Sequence, residues 1–168
     1  MNTDNIKQKL AALKEDYKKT AEAMFHEGVK ELFELHPSLD SFGFTAYSPY
    51  FNDGEECTFS AHTDYPYING YDQYEGSMEN RFEPWFKSFE PRDGDSNIWK
   101  KIAHWDYSNG YNNRVWVNGD AELDAMVKDV KEFLRSFDDD VWQDLIGNHV
   151  IVRISKDGIE TEDYSDHD

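Results

Sequence analysis

Two His-x-Asp triplets are the residues of this sequence best suited to chemistry: His62-Thr63-Asp64 and His104-Trp105-Asp106. Side chains two apart on an extended strand project to the same side, so each triplet would set an imidazole beside a carboxylate. Two such pairs converging would suffice for a divalent cation, or for acid–base attack on a phosphodiester. His149 and Asp166-His167-Asp168 could add ligands. However, six histidines among 35 acidic residues make such pairs common by chance, and neither triplet has a recognised metal spacing. A metal-assisted or acid–base phosphoesterase using His62, Asp64, His104 and Asp106 is therefore the alternative reading. The favoured reading assigns no catalytic residue, metal or cofactor. The one cysteine, Cys57, follows Glu55 and Glu56, which disfavour its thiolate; a buried, inert strand residue is expected. The five tryptophans are expected mainly in the core.

The placement of acid is a second feature. The 168 residues carry 35 Asp and Glu against 17 Lys and Arg, a net charge of −18. From Glu31 to Asn80 no Lys or Arg occurs in 50 residues, while ten carboxylates do. A second basic-free acidic run closes the chain, with Asp157, Glu160, Glu162, Asp163, Asp166 and Asp168. Such a field repels phosphate, which argues against direct nucleic-acid binding and against docking on anionic membranes. It would instead steer a basic protein surface, with aromatics as anchors. The partner-binding residues expected on this basis are Tyr50, Phe51, Asp53, Glu55, Glu56, Asp64, Tyr65, Tyr67, Asp72, Glu75, Glu160, Glu162 and Asp163.

The elements that must position these residues follow from periodicity. Residues 4–35 read as helix, with Ile6, Leu10, Leu13, Tyr17, Ala21 and Met24 spaced alternately by four and three. Thr3 or Asp4 can cap its start, and Pro37 stops it. A straight helix of that length, about 48 Å, would exceed a compact body of this size. It should either break near Gly28 or project. A projecting stripe also allows a homodimer through the N-terminal helix. Residues 41–62 read as a β-hairpin: Phe42, Phe44 and Ala46 alternate with polar or small residues, and Cys57, Phe59 and Ala61 return, with Asn52-Asp53-Gly54 as turn chemistry. Arg114 to Val117 reads as a short strand. Residues 120–135 form the clearest helix, capped by Asp120, with Leu123, Met126, Val127, Val130, Phe133 and Leu134 on one stripe. A shorter helix follows from Phe137 to Ile146, and a second hairpin spans Val150 to Tyr164 with a Lys156-Asp157-Gly158 turn.

The expected fold is thus α+β: a mostly antiparallel sheet of four to five strands, with a long N-terminal helix and a second helix (120–135) packed on it. A single domain covers 1–168, made of an N-terminal helical region (1–36) and an α+β core (41–168). That core carries an irregular aromatic insertion at 65–113, with a helical turn near Asn97 to Ile102. No apolar run approaches the length needed to span a bilayer, no signal-peptide pattern opens the chain, and a reducing cytoplasm fits one cysteine.

The stretch from Phe44 to Phe59, an aromatic strand followed by Pro49-Tyr50-Phe51-Asn52-Asp53-Gly54 and then Cys57-Thr58-Phe59, resembles a segment of small acidic proteins of tailed bacteriophages. The acidic C-terminal stretch, Gly147 to Asp168, is similar too. The resemblance covers about a quarter of the chain and carries no catalytic residues across. It implies an accessory protein acting in the cytoplasm of an infected bacterium. Joined to the charge pattern, the expectation is an inhibitor of a host defence or nucleic-acid-handling protein. Its carboxylates would stand in for phosphates on that protein's basic surface. A third expectation is an oligomeric structural or assembly protein.

Overall fold

A computed structural model describes residues 3–50, 54, 56–73 and 97–164. In chain order the elements are α1 (Thr3–Leu35), β1 (Ser41–Tyr47), β2 (Ser60–Ala61), β3 (Tyr67–Ile68), β4 (His104–Asp106), β5 (Val115–Val117), α2 (Ala121–Arg135), α3 (Asp139–Ile146), β6 (Val150–Ser155) and β7 (Gly158–Asp163). Single 3-10 turns lie at Ile98–Lys100 and Tyr111–Asn113. The α+β expectation holds: five strands form one antiparallel sheet in the order β2-β1-β6-β7, with β3 also paired to β1.

The alternation in β1 does what a period of two requires. Phe42, Phe44 and Ala46 are fully buried on one face, beside Val152 and Ile154 of β6. The helices cover this face, with Phe25, Leu32 and Phe33 from α1, Met126, Val130 and Leu134 from α2, and Trp142 and Ile146 from α3. Aromatic rings fill the seam: Phe44 lies 4.8 Å from Trp142, and Phe33 lies 5.8 Å from Phe42, centroid to centroid.

Helix starts are set locally. Asp120 accepts from Glu122 N at 3.0 Å and Leu123 N at 3.1 Å, and Asp138 accepts from Val141 N at 3.0 Å. Each bond satisfies an amide that a helix N-terminus leaves without a partner. The β6–β7 turn works because Gly158 sits at φ +129°, where a side chain would be strained.

One alternative is decided and two expectations are corrected. Of the two outcomes expected for helix α1, a break near Gly28 or a projecting N-terminal half, the second holds, and the helix does not break at Gly28. The missing Cβ there instead lets the Phe133 ring of α2 lie against the helix backbone, where an added methyl would overlap it. The helix therefore runs on for 33 residues, and its buried positions begin only at Ala21. Second, residues 41–62 are a hairpin only at their ends, pairing Ala46 with Ala61 and Tyr47 with Ser60. The main partner of β1 is β6, through six register pairs from Ser41–Ser155 to Ala46–Val150. An apolar strand from the far end of the chain covers β1 better than its own short return can. Cys57 consequently lies outside every strand and is exposed, not buried. Third, the described parts of 65–113 are more regular than expected. They supply β3 to the main sheet, and β4, which pairs with β5 in a separate two-stranded ribbon.

Candidate protein-binding surface

The β4–β5 ribbon stands apart from the main sheet and keeps its apolar residues in solvent. Its register pairs Trp105 with Trp116 directly across the ladder, so both indoles occupy one face, 5.2 Å apart and edge to face. Trp105 is 45% exposed and Trp116 48%. Arg114, two residues before Trp116 and hence on the same face, lays its guanidinium 4.8 Å from the Trp105 ring centre and 5.2 Å from that of Tyr111. Tyr111 in turn stacks on Tyr107 at 5.7 Å. The result is a continuous row, Trp116–Trp105–Arg114–Tyr111–Tyr107, with Val115 and Val117 exposed on the other face of the ribbon. At roughly 100 Å² left open on each of four aromatics, the row presents on the order of 400 Å². That lies within the range of the largest apolar patch on an ordinary monomer, about 300–600 Å², and such patches are often contact sites. Trp, Tyr and Arg are also the side chains that carry most binding energy at interfaces.

The body holds the ribbon firmly at its base. Ala103 N donates to Asp124 Oδ1 of α2 at 2.7 Å, and Asp120 N donates to Lys101 O at 2.9 Å. Gly119 packs so closely on the Ile102–Ala103 backbone that a Cβ there would collide with it. The two tryptophans are therefore presented by a strand pair tied to the body at its base, with Tyr107, Tyr111 and Arg114 on the segment that joins the two strands.

The acidic and aromatic residues read from the sequence as partner-binding fall at several places on the described structure. Asp64 accepts from Arg135 Nε at 3.0 Å, and Glu160 accepts from Arg153 at 2.9 Å, so two carboxylates serve internal pairs. Glu162 and Asp163 are exposed on β7, at the opposite sheet edge from β2, while Glu56 is exposed before β2. Three strand spacings, about 14 Å, separate those edges. Tyr50 is exposed and stacks on His149 at 4.9 Å, and Tyr65 is exposed with Lys131 Nζ 5.9 Å from its ring. Phe51, Asp53, Glu55 and Glu75 lie outside the described residues.

Tyr67 is half-buried on the outer sheet face, packed with Tyr164 on Ile151. Burial, with help from Asp72, raises the Tyr67 phenol well above its ordinary value. Burial and the nearby Tyr47 push Tyr164 up to about 12. A folded-state value above the unfolded value of about 10 favours folding while the phenol stays protonated. That contribution is complete below pH 10 and is lost as pH rises towards 12. The tyrosinate absorbance at 295 nm should therefore rise in two stages, the later one coinciding with loss of structure. The Tyr164→Phe variant should remove part of the later stage.

The two His-x-Asp pairs do not meet. Asp64 is tied to Arg135 at the C-terminal end of α2, whereas the chain just before His104 is tied to Asp124 near the other end. Eleven residues of helix, about 16 Å, separate those anchors. His62 stacks on Tyr47 at 4.4 Å, and burial lowers its pKa despite Asp139 and Asp64 nearby. His104 Nδ1 lies 2.8 Å from the Ile102 carbonyl. Asp106 accepts from the backbone N–H and hydroxyl of Ser108, which hold its carboxyl below the usual range. Among the described residues no group of three or more His, Cys, Asp or Glu is placed to hold a metal ion. Two open grooves on those residues, one along α2 and one between α1 and the β6–β7 turn, are lined by none of these four side chains.

Trp99 and Trp142 are buried as expected, but Trp105 and Trp116 are not. The sequence signal was the run Arg114-Val-Trp-Val, which reads as a strand whether its faces are covered or open.

No family model, curated protein or solved structure matches this chain. No helix among the described residues is long and apolar enough to cross a membrane.

Proposed function

We propose that this protein is a non-enzymatic binding module that occupies the surface of another protein. The observation that supports this reading is the exposed aromatic row on the β4–β5 ribbon, fixed to the body at Gly119 and Asp124. The partner it fits has an apolar cleft to take Trp105 and Trp116, set in a basic surface. The net charge of −18 would accelerate encounter with such a surface and reject nucleic acid itself. The ribbon replaces Tyr50, Tyr65 and Tyr67 as the main apolar anchor, while Glu56, Glu162 and Asp163 remain as steering charges. In the bacteriophage setting that the resemblance implies, the partner is a host defence or nucleic-acid-handling protein. It would be met in the host cytoplasm and inhibited because its basic surface is covered.

The test is capture from bacterial lysate on this protein, eluted with a salt gradient, beside the double variant Trp105→Ala/Trp116→Ala and the double variant His62→Ala/His104→Ala. One stoichiometric partner should leave between low and moderate salt, be lost with the tryptophan variant, and be kept by the histidine variant. Retention by the tryptophan variant would defeat the ribbon assignment, and elution independent of half-molar salt would defeat the electrostatic part.

A further inference from the structure

The first eighteen residues of α1 carry a face that the body leaves uncovered. Ile6, Leu10, Leu13 and Tyr17 are between 45% and 64% exposed, and Met24 further along the same stripe is 61% exposed, whereas the buried positions of the helix, Ala21, Phe25, Leu32 and Phe33, begin only at Ala21. Their spacing is that of alternating a and d positions in a heptad, with Leu10 and Tyr17 at a and Ile6 and Leu13 at d. The body meets α1 first through Tyr17 Oη donating to Asp138 of α3 at 3.3 Å and an ion pair between Lys18 and Asp144 at 3.6 Å. Towards the N-terminus from there the helix projects, about 21 Å from Tyr17 to Thr3.

We infer that this projecting segment pairs with the same segment of a second copy, antiparallel, about a two-fold axis between Leu10 and Leu13. The heptad spacing and the reciprocal Lys9–Asp16 pairing it allows fit a second copy of the segment, and charge decides the direction. Residues 3–20 hold five lysines against three carboxylates, a net +2, so the rest of the −18 chain carries −20. A parallel pair would bring two such bodies together at one end and set Lys9 against the partner's Lys14 across the seam. In the antiparallel pair the bodies lie at opposite ends. Leu10 packs on the partner's Leu13, Ile6 on the partner's Tyr17, and Lys9 faces the partner's Asp16. Lys7 then neighbours the partner's Lys14, a like-charge contact that the two Lys9–Asp16 pairs offset. At roughly 100 Å² per apolar side chain, with lysine stems covering the edges, the total contact is on the order of 1,000 Å². That is the low end for a specific interface, so the dimer should dissociate at micromolar concentration. Its consequence is two aromatic ribbons per particle, held apart by the paired helices.

Sedimentation equilibrium on the full chain at tens of micromolar should give twice 19.7 kDa. The Leu10→Asp/Leu13→Asp variant should give one chain mass with unchanged near-ultraviolet dichroism. Lys9→Glu should weaken the dimer severalfold and Lys9→Glu/Asp16→Lys should restore it. Direction is read by oxidation in a Cys57→Ser background. Ile6→Cys mixed with Tyr17→Cys should cross-link, whereas Ile6→Cys alone should not, because two antiparallel copies hold those positions about 16 Å apart. A monomer at these concentrations, a dimer that survives the aspartates, or efficient Ile6→Cys self-cross-linking would each overturn the inference.

Discussion

The Phe25→Ala variant is expected to lose about 4 kcal/mol of stability, within the range for truncating a fully buried aromatic side chain. Phe25 is fully buried where three helices meet. Its ring lies 5.7 Å from Phe133 of α2, 5.8 Å from Phe137, and 5.6 Å from Trp142 of α3, the last two edge to face. Removing it deletes the apolar transfer gain and leaves a hole that neither α2 nor α3 can fill, because each is also fixed to the sheet. Set against a total stability of about 5–15 kcal/mol, the loss should lower the melting temperature by about 10 °C. Urea unfolding followed by tryptophan fluorescence would show a lower midpoint with an unchanged slope. Leu13→Ala, on the exposed part of the same helix and measured at a concentration that keeps the chain monomeric, should move stability by less than about 0.5 kcal/mol. A Phe25→Ala loss below 1 kcal/mol would mean that α1 is not held to the body through this ring.

The second large effect falls on binding and not on folding. Trp105→Ala and Trp116→Ala should each weaken the captured partner by about thirtyfold, the loss of roughly 2 kcal/mol typical of a central interface aromatic. The two rings touch, so the double variant should fall short of the product of the singles yet exceed a hundredfold. Both indoles are about half in solvent already, which limits the cost to folding. The kinetics separate the ribbon from the charge. Loss of an anchor raises the dissociation rate, whereas Glu162→Gln/Asp163→Asn should slow association and flatten its salt dependence. Surface plasmon resonance with the purified partner resolves the two. Equal losses from the tryptophan and the carboxylate variants, both confined to the association rate, would show that the ribbon is not an anchor.

How far the chain can be read without its fold depends on the range of the interaction concerned. Helix α2 is legible in full, since its cap at Asp120 and its apolar stripe from Leu123 to Leu134 are decided within one turn of each residue. The β6–β7 hairpin is equally local, a two-residue turn closed by Gly158. The candidate site was hardly legible. Strand β5 could be placed to within a residue, but not its partner β4, nor the exposure of Trp105 and Trp116. The His-x-Asp pairs fail as a joint site for the same reason: each is a sound local pattern, and α2 keeps the two apart.

By itself, then, the sequence determined the class of fold, the caps, the turns, the strong negative charge and a helical stripe running from Ile6 to Phe33. These depend on propensity, periodicity and counting, which act between residues close in the chain. Tertiary structure decided that β6 rather than the local return strand completes β1, leaving Cys57 in solvent. It also decided that the body buries helix α1 only from Ala21, leaving Ile6 to Tyr17 and Met24 of the stripe exposed, and that the Val115–Val117 run faces water. An apolar side chain carries the same transfer energy in either setting. Whether that energy is satisfied within the chain or left for a partner depends on which distant surfaces arrive to cover it.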